Sequence, residues 1–278
     1  MIITKADGTQ EPFRPEKLRA SLRRAGATKH EVDAILRDIE QWLTEGVKTQ
    51  AIYRKAFELL RQSDTPSAAR YSLRRALFGL GPTGFPFEDF LAKLFETEGY
   101  TTKTRVTLKG KCTQHEIDVA GFTPAHSFVA EAKFHMRPGT KSDLQVVMYS
   151  YARFLDLQNA HICRQDTCGV NDFYVITNTK FTRTAMKYAE CAGINLLSWN
   201  YPKHHSLHKR IEAAGLYPIT ALTTLSSRYK RALLETGVIL CRDILRKPAV
   251  LQSAGVPFAK VDAVVAEAQL LYNSKNAP

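Results

Sequence analysis

Hydrophobic positions along the chain change their period twice. Two short extended runs flank the turn dipeptide Asp7-Gly8, which predicts an N-terminal β-hairpin. Pro15 then opens a helix with Leu18, Leu22 and Ala25 on one face. Val32, Ile35, Leu36, Ile39, Trp42 and Leu43 recur at helical steps until Gly46. Thr49 caps a third helix carrying Ile52, Ala56, Leu59 and Leu60, and Pro66 begins a fourth carrying Ala69, Leu73, Ala76 and Leu80.

The Gly/Pro cluster "GLGPTGFP", Gly79 to Pro86, marks a boundary. Beyond it Phe87, Phe90, Leu91, Leu94 and Phe95 share a helical face, closed at Gly99. Extended segments are expected at about 100–108, 115–122 and 126–134, then a helix with Leu144, Val147, Met148 and Tyr151. "FYVITN" is an unbroken apolar run, as in a buried parallel strand; the helix "FTRTAMKYAECAG" and the strand "INLLSW" follow. This order describes a sheet with helices on both sides. From about Leu216 the pattern returns to short helices, cut by Gly237, Pro248 and Gly255-Val256-Pro257. The reading is a multidomain α/β protein with domains 1–80, 84–215 and 216–278.

With 44% hydrophobic and 24% charged residues the chain suits packed domains. Lys and Arg number 39 against 27 Asp and Glu, a net charge of +12, which points to a polyanionic partner with nucleic acid the leading candidate, the alternative being a basic surface that binds nothing. No apolar run is long enough to cross a bilayer, and "MIITKADGTQ" lacks the apolar centre of a signal peptide, so no membrane partner and a cytoplasmic location are expected. The five cysteines are then read as reduced thiols. His161, Cys163 and Cys168 lie close together, but no second cysteine pair completes a tetrahedral zinc site. His204, His205 and His208 read as a solvated loop.

Three charges interrupt apolar strands. "HEIDVAG" carries Asp118, and "FVAEAKF" carries Glu131 and Lys133. Strand periodicity sends Glu131 and Lys133 to one face, and Asp118 sits on the preceding strand. If those strands are neighbours, the carboxylates converge on a site for a hard divalent cation, Mg²⁺ or Mn²⁺, with an ammonium beside it. Glu88, at the edge of its helix's apolar stripe, would add a third oxygen. The plainer alternative is a solvated strand face, since acid-x-Lys is common by chance.

The stretch from "GFPFEDFLAKLFETEGY" through "HEIDVAG" and "FVAEAKF" to "GINLLSW", about residues 84–202, resembles the Mrr-like branch of the PD-(D/E)XK restriction-endonuclease superfamily. The resemblance implies Mg²⁺-dependent phosphodiester hydrolysis, with Asp118, Glu131 and Glu88 as metal ligands and Lys133 positioning the attacking water. Gln145 and Tyr149 in "QVVMY" are similar to the Q-x-x-x-Y motif of some superfamily members, with an ordinary amphipathic helix as the alternative. By analogy with one-site nucleases, double-strand cleavage would call for a homodimer.

"IITKADGTQEPFRPEKL" and "GVKTQAIYRKA" resemble an ATP-cone, the regulatory nucleotide-binding module of ribonucleotide reductases and their repressors. The resemblance implies ATP or dATP as ligand, with Ile3 and Lys5 lining it, Glu11, Arg14 and Lys17 near it, and Thr49 near base or ribose. Independently, Lys5, Arg14 and Lys17 around a turn and a helix start suit phosphate. The chain holds no G-x-x-x-x-G-K-[ST] loop, so the module reads as a sensor and not a motor. The C-terminal stretch resembles helix-hairpin-helix units that grip the DNA backbone. Gly255-Val256-Pro257 would offer backbone N–H groups to a phosphate, and Lys230, Arg231 and Lys260 would contact it. A helical dimerisation module is the alternative. The expected function is a Mg²⁺-dependent DNA endonuclease regulated by ATP or dATP, set against a catalytically inactive, nucleotide-responsive DNA-binding protein.

Overall fold

A computed structural model of the chain describes residues 1–5, 8–63, 65–162 and 169–273. The expected turn residue Asp7, the cysteines Cys163 and Cys168, and the tail beyond Asn273 lie outside them. The chain divides into two compact units, Met1–Ala76 with Tyr217–Pro278, and Leu77–Leu216.

In the first unit, β1 (Ile2–Thr4) pairs antiparallel with β2 (Gln10–Pro12), Ile3 opposite Glu11. The helices α1 (Pro15–Arg24), α2 (Lys29–Trp42), α3 (Thr49–Ser63), α4 (Thr65–Tyr71) and α5 (Leu73–Phe78) follow, the last carrying the chain across the division. Thr28 and Glu31 cap α2 reciprocally: the Glu31 N–H donates to Thr28 Oγ1 at 3.3 Å, and the Thr28 N–H to Glu31 Oε2 at 2.8 Å. Leu18, Leu22, Val32, Ile35, Ile39 and Leu60 form the core that their helical spacing predicts. The single helix expected from Pro66 is two, because Ser72 leaves the helix between them. Ala69 and Leu73 keep a helical step of four across that break, so periodicity does not reveal it.

The second unit opens with α6 (Phe85–Thr97), then β3 (Thr101–Lys109), β4 (Gln114–Phe122), β5 (Ser127–Lys133) and the short β6 (Lys141–Ser142). Next come α7 (Leu144–Asp156), β7 (Asp172–Thr177), β8 (Lys180–Phe181), α8 (Arg183–Ala192), β9 (Asn195–Ser198) and α9 (Leu207–Ala214). The main sheet has the order β3-β4-β5-β7-β9. β3, β4 and β5 are antiparallel neighbours, whereas β5, β7 and β9 run parallel. β7 is apolar almost throughout because it is an inner strand buried on both faces. Ile117, Val129, Val147, Phe173, Val175 and Ala185 form the core between sheet and helices. α6 buries Phe87, Phe90, Leu91, Leu94 and Phe95, the stripe read from its spacing. The expected mixed α/β sheet flanked by helices is what forms. The parallel pair β6-β8 goes unforeseen, its strands too short for any alternation to show.

After a 3₁₀ turn at Ile219–Ala221, the first unit is completed by α10 (Ser227–Glu235), α11 (Cys241–Arg246), α12 (Ala249–Ser253) and α13 (Phe258–Asn273). α13 packs on α11 and α4, so these helices share a compact unit with residues 1–76. The buried Glu267 of α13 fixes the preceding loop: its carboxylate accepts from the N–H and Oγ1 of Thr223 at 2.7 and 2.8 Å and of Thr224 at 2.9 and 2.6 Å. Among the described residues no helix is long and apolar enough to cross a membrane.

Candidate functional site

The strands β4 and β5 carry the three expected charges side by side. Their pairing ends with Val119 opposite Ala130, and Asp118 and Glu131 are the next residues on the two strands. The Asp118 carboxylate accepts the Ala132 N–H at 2.6 Å, which pins it to the adjoining strand. Glu131 is 6% exposed, and its oxygens pair with the Lys133 ammonium and the Arg153 guanidinium. Burial pushes Asp118 up to about 6, with the Glu131 carboxylate adding to the shift. Glu88, buried on α6, is also raised, first by burial and further by Asp118, while its bond to Arg105 opposes the shift. The three carboxylates therefore share one electrostatic environment. Among the described residues, however, no three His, Cys, Asp or Glu side chains gather as a ready metal-holding group.

Two arginines that sequence reasoning did not single out complete the cluster. Arg153, 6% exposed on α7, donates to Glu131 and to the Glu116 carbonyl. It follows Gln145 and Tyr149 at steps of four on the same helical face, a signal available in the sequence, and its guanidinium lies 5.5 Å from the Tyr149 ring centroid. Arg105, on β3, forks onto Glu88 at 3.1 Å and Asp89 at 2.8 Å. Its φ of 53° makes it the single described non-glycine residue in the left-handed region. That conformation costs about 1–2 kcal/mol for an L-residue. The partly exposed pair of Arg105 with Asp89 returns about 0–1 kcal/mol, whereas its pair with the buried Glu88 offsets more of that cost.

Gln145 takes a solvent-facing position. It is exposed on the first turn of α7 and lines an open groove with Asp143, Leu144, Met148, Tyr149, Thr182 and Thr184. His115, beside the motif in sequence, pairs instead with Asp156 at 2.7 Å, where Asp156 also takes the Cys112 N–H and so clips the β3–β4 turn.

In the first unit, the two halves of the nucleotide-binding motif meet at the hairpin. The Thr4 N–H donates to the Val47 carbonyl at 3.0 Å, and the Gly46 N–H to the Ile2 carbonyl at 2.9 Å, which brings the start of α3 with Thr49 against β1. Glu11 pairs with Lys5 at 2.7 Å and Lys17 at 3.1 Å, and those two lysines hold its carboxyl below the usual range. Ile3 is buried beneath them, and Arg14 is exposed at the start of α1.

The C-terminal expectation needs two corrections. Lys230 turns inward: its ammonium donates to the Thr220 carbonyl at 3.0 Å, and burial lowers its pKa, so it is not presented to a phosphate. The hairpin N–H groups are also taken. Gly255 donates to Gln252 at 2.8 Å and Val256 to Leu251 at 2.9 Å, closing α12, and Pro257 has no N–H. Arg231 and Lys260 remain exposed.

Fold and site together define a protein with a mixed-sheet carboxylate–lysine centre joined to a hairpin-and-helix module of nucleotide-binding type. Residues 1–77 match the ATP cone domain family, and residues 217–272 match the family described as AF1548-like, C-terminal. A protein of Archaeoglobus fulgidus, described only as an uncharacterized protein, is 36% identical over 180 residues, covering 64% of this chain and 98% of that one. A solved structure titled "Crystal Structure of Protein of Unknown Function AF1548" matches with 34% identity and a TM-score of 0.56, over 68% of this chain and 98% of that chain. The chain belongs to the AF1548-like family, with an ATP cone match at its N-terminus.

Proposed function

We propose that this protein is a divalent-metal-dependent DNA endonuclease whose activity responds to ATP or dATP at the ATP cone. The supporting observation is the placement of Asp118 and Glu131 just beyond the last paired residues of adjoining strands, with Lys133 bonded to Glu131 and the Glu88 carboxyl raised in part by the Asp118 charge. The resemblance of residues 84–202 to Mrr-like nucleases supports the same reading.

The donor set suits a hard cation. Asp118 and Glu131 offer carboxylate oxygens, Asp118 is held above its ordinary pKa by burial and by a like charge, and a dication would relieve both. A bound Mg²⁺ or Mn²⁺ supplies an acidified water and neutralises charge developing on phosphate. Glu88 would add a third oxygen on giving up its bond to Arg105. The Lys133 ammonium, two residues beyond Glu131 on the same strand face, orients a nucleophile and stabilises developing negative charge. At the other motif, Lys5, Arg14 and Lys17 bind triphosphate, and Ile3 and Thr49 flank base and ribose. Nucleotide changes activity to the extent that it prefers one conformation or assembly, such as a homodimer, over another. Exposed Arg231 and Lys260 contribute to backbone affinity.

A second reading is a catalytically inactive, nucleotide-responsive DNA-binding protein. It is favoured by the full pairing of Glu131 with Lys133 and Arg153. Nicking of supercoiled plasmid with Mg²⁺ separates the two. Cleavage by the wild type that Asp118→Ala and Lys133→Ala abolish supports the nuclease, and equal behaviour of all three proteins refutes it.

A further inference from the structure

Resting on the reading of this site as one that takes DNA, we propose that Arg105 is its phosphate contact, held in a strained backbone beside the carboxylates. β3 and β4 pair regularly on both sides of this residue, Thr104 with Val119 and Val106 with Ile117, while Arg105 and Asp118, which face each other between them, do not pair. The sheet is interrupted at the row that carries Asp118 and, on β5, Glu131. The residue responsible is an arginine in the left-handed region, where glycine or asparagine would be at ease. Strain of this kind persists where the surroundings over-determine it, and it gathers at sites that bind or react.

The side chain is placed for a phosphate. It is 35% exposed, so an oxyanion can reach it from solvent, yet its two terminal nitrogens already span Glu88 and Asp89 in a fork. The two non-bridging oxygens of a tetrahedral phosphodiester can accept from both terminal nitrogens of one guanidinium, in place of the two carboxylates. Phe85, 53% exposed, lies 5.5 Å from the guanidinium and gives it an apolar flank on the open side. Arg105 is also the cation of the buried Glu88, so it has a share in stability beside any part in binding.

Arg105→Asn and Arg105→Lys separate binding from scaffolding. Asparagine accepts the left-handed backbone and removes the guanidinium; lysine keeps the charge and loses the fork. Affinity for a short fluorescent DNA duplex is measured by anisotropy across a salt series, in EDTA and again in calcium, with urea unfolding in parallel. The Asn variant is expected to bind about 10-fold more weakly, with a salt slope reduced by about one, a loss beyond what any lowering of its urea midpoint from the unpaired Glu88 accounts for at temperatures where it stays folded. The Lys variant restores the slope but not the full affinity. Wild-type affinity and slope in the Asn variant, or a lowered urea midpoint with unchanged binding, would make Arg105 a strap between β3 and α6 and overturn the proposal. A wild type that binds no duplex overturns it as well. A wild type that binds duplex but does not cut it with Mg²⁺ defeats the nuclease reading alone, and the Arg105 comparison still decides.

Discussion

The chain holds two charged clusters of opposite construction. At the N-terminal hairpin a single carboxylate, Glu11, serves two lysines in solvent. Against the central sheet Glu88, Asp118 and Glu131 sit partly or fully buried, with Arg105, Lys133 and Arg153 around them. Hydrated, screened charges neither cost nor gain much by pairing. Buried carboxylates lose hydration, and the loss appears in Asp118, pushed up to about 6. The exposed cluster is thus free to exchange partners for a ligand, whereas the fold must keep the buried one in balance. Substitutions at the hairpin should alter ligand binding alone, and those at the sheet should alter both chemistry and stability.

The largest effect expected is on chemistry. Asp118→Ala and Lys133→Ala should each lower the single-turnover cleavage rate of supercoiled plasmid by at least about 100-fold, the scale on which positioned acid–base and electrostatic groups act. Neither should change ATP affinity measured by calorimetry, because Asp118 and Lys133 belong to the second compact unit. Loss of cleavage from Lys17→Ala as deep as that from Lys133→Ala would erase the distinction between the clusters.

Next comes stability. Arg153→Met leaves Glu131 buried with one cation in place of two, and removing a partner from a buried pair costs about 3 kcal/mol in urea unfolding. Lys17→Met, at an exposed pair, should leave the urea midpoint where it is. Equal losses in both variants would show that burial does not separate the two clusters.

What the sequence made legible follows the same divide. Asp118, Glu131, Lys133 and Glu88 stood out because charges interrupt runs that must be buried, and strand and helix periods told which face they take. The extended segments expected at 100–108, 115–122 and 126–134 form as Thr101–Lys109, Gln114–Phe122 and Ser127–Lys133. The two arginines stayed hidden for different reasons. Arg153 looks like an ordinary solvated position until its spacing from Gln145 and Tyr149 is joined to the knowledge that α7 lies against the sheet. Arg105 gives no local sign at all, since its left-handed backbone is imposed by tertiary context on a sequence, Thr-Arg-Val, that favours an extended strand. Lys230 misled because a basic residue near a hairpin resembles a phosphate ligand, whereas its long stem lets it fold back onto Thr220.

A smaller effect, with a fixed sign, is the pH dependence of the sheet cluster. Unfolded, the Asp118 carboxyl titrates near its ordinary 3.8; folded, near 6. Between those values the folded protein holds the proton more often than the unfolded chain. Its stability in EDTA should therefore fall as pH rises from about 4 to about 6 and change little from this group outside that window. Asp118→Asn removes the contribution, so the variant should gain on the wild type across the window. Glu88, shifted in the same direction, should leave a residual slope of the same sign. Urea unfolding of both proteins between about pH 4 and pH 7 measures it, and parallel curves would show that Asp118 is not desolvated in the folded state.

The smallest expected change is at the hairpin in the absence of nucleotide, and it tests the comparison from its other side. Glu11→Gln and Lys17→Ala should unfold at the wild-type urea midpoint, because the pairs that they break lie in water. Adding ATP at about 100 times its dissociation constant should stabilise the wild type by about 2.7 kcal/mol through binding alone. Lys17→Ala should weaken ATP about 10-fold, the worth of one charge-assisted bond to phosphate, and so shift the ATP dependence of its melting temperature to higher nucleotide. Glu11→Gln has a sign that decides the role of this carboxylate. If Glu11 only holds the lysines in readiness, removing its charge frees them and ATP binds as well or better. If it touches the ribose hydroxyls, ATP binds more weakly although the local charge has become more positive. A thermal-shift titration of Glu11→Gln against Lys17→Ala distinguishes the two, since electrostatics alone predicts opposite directions for them.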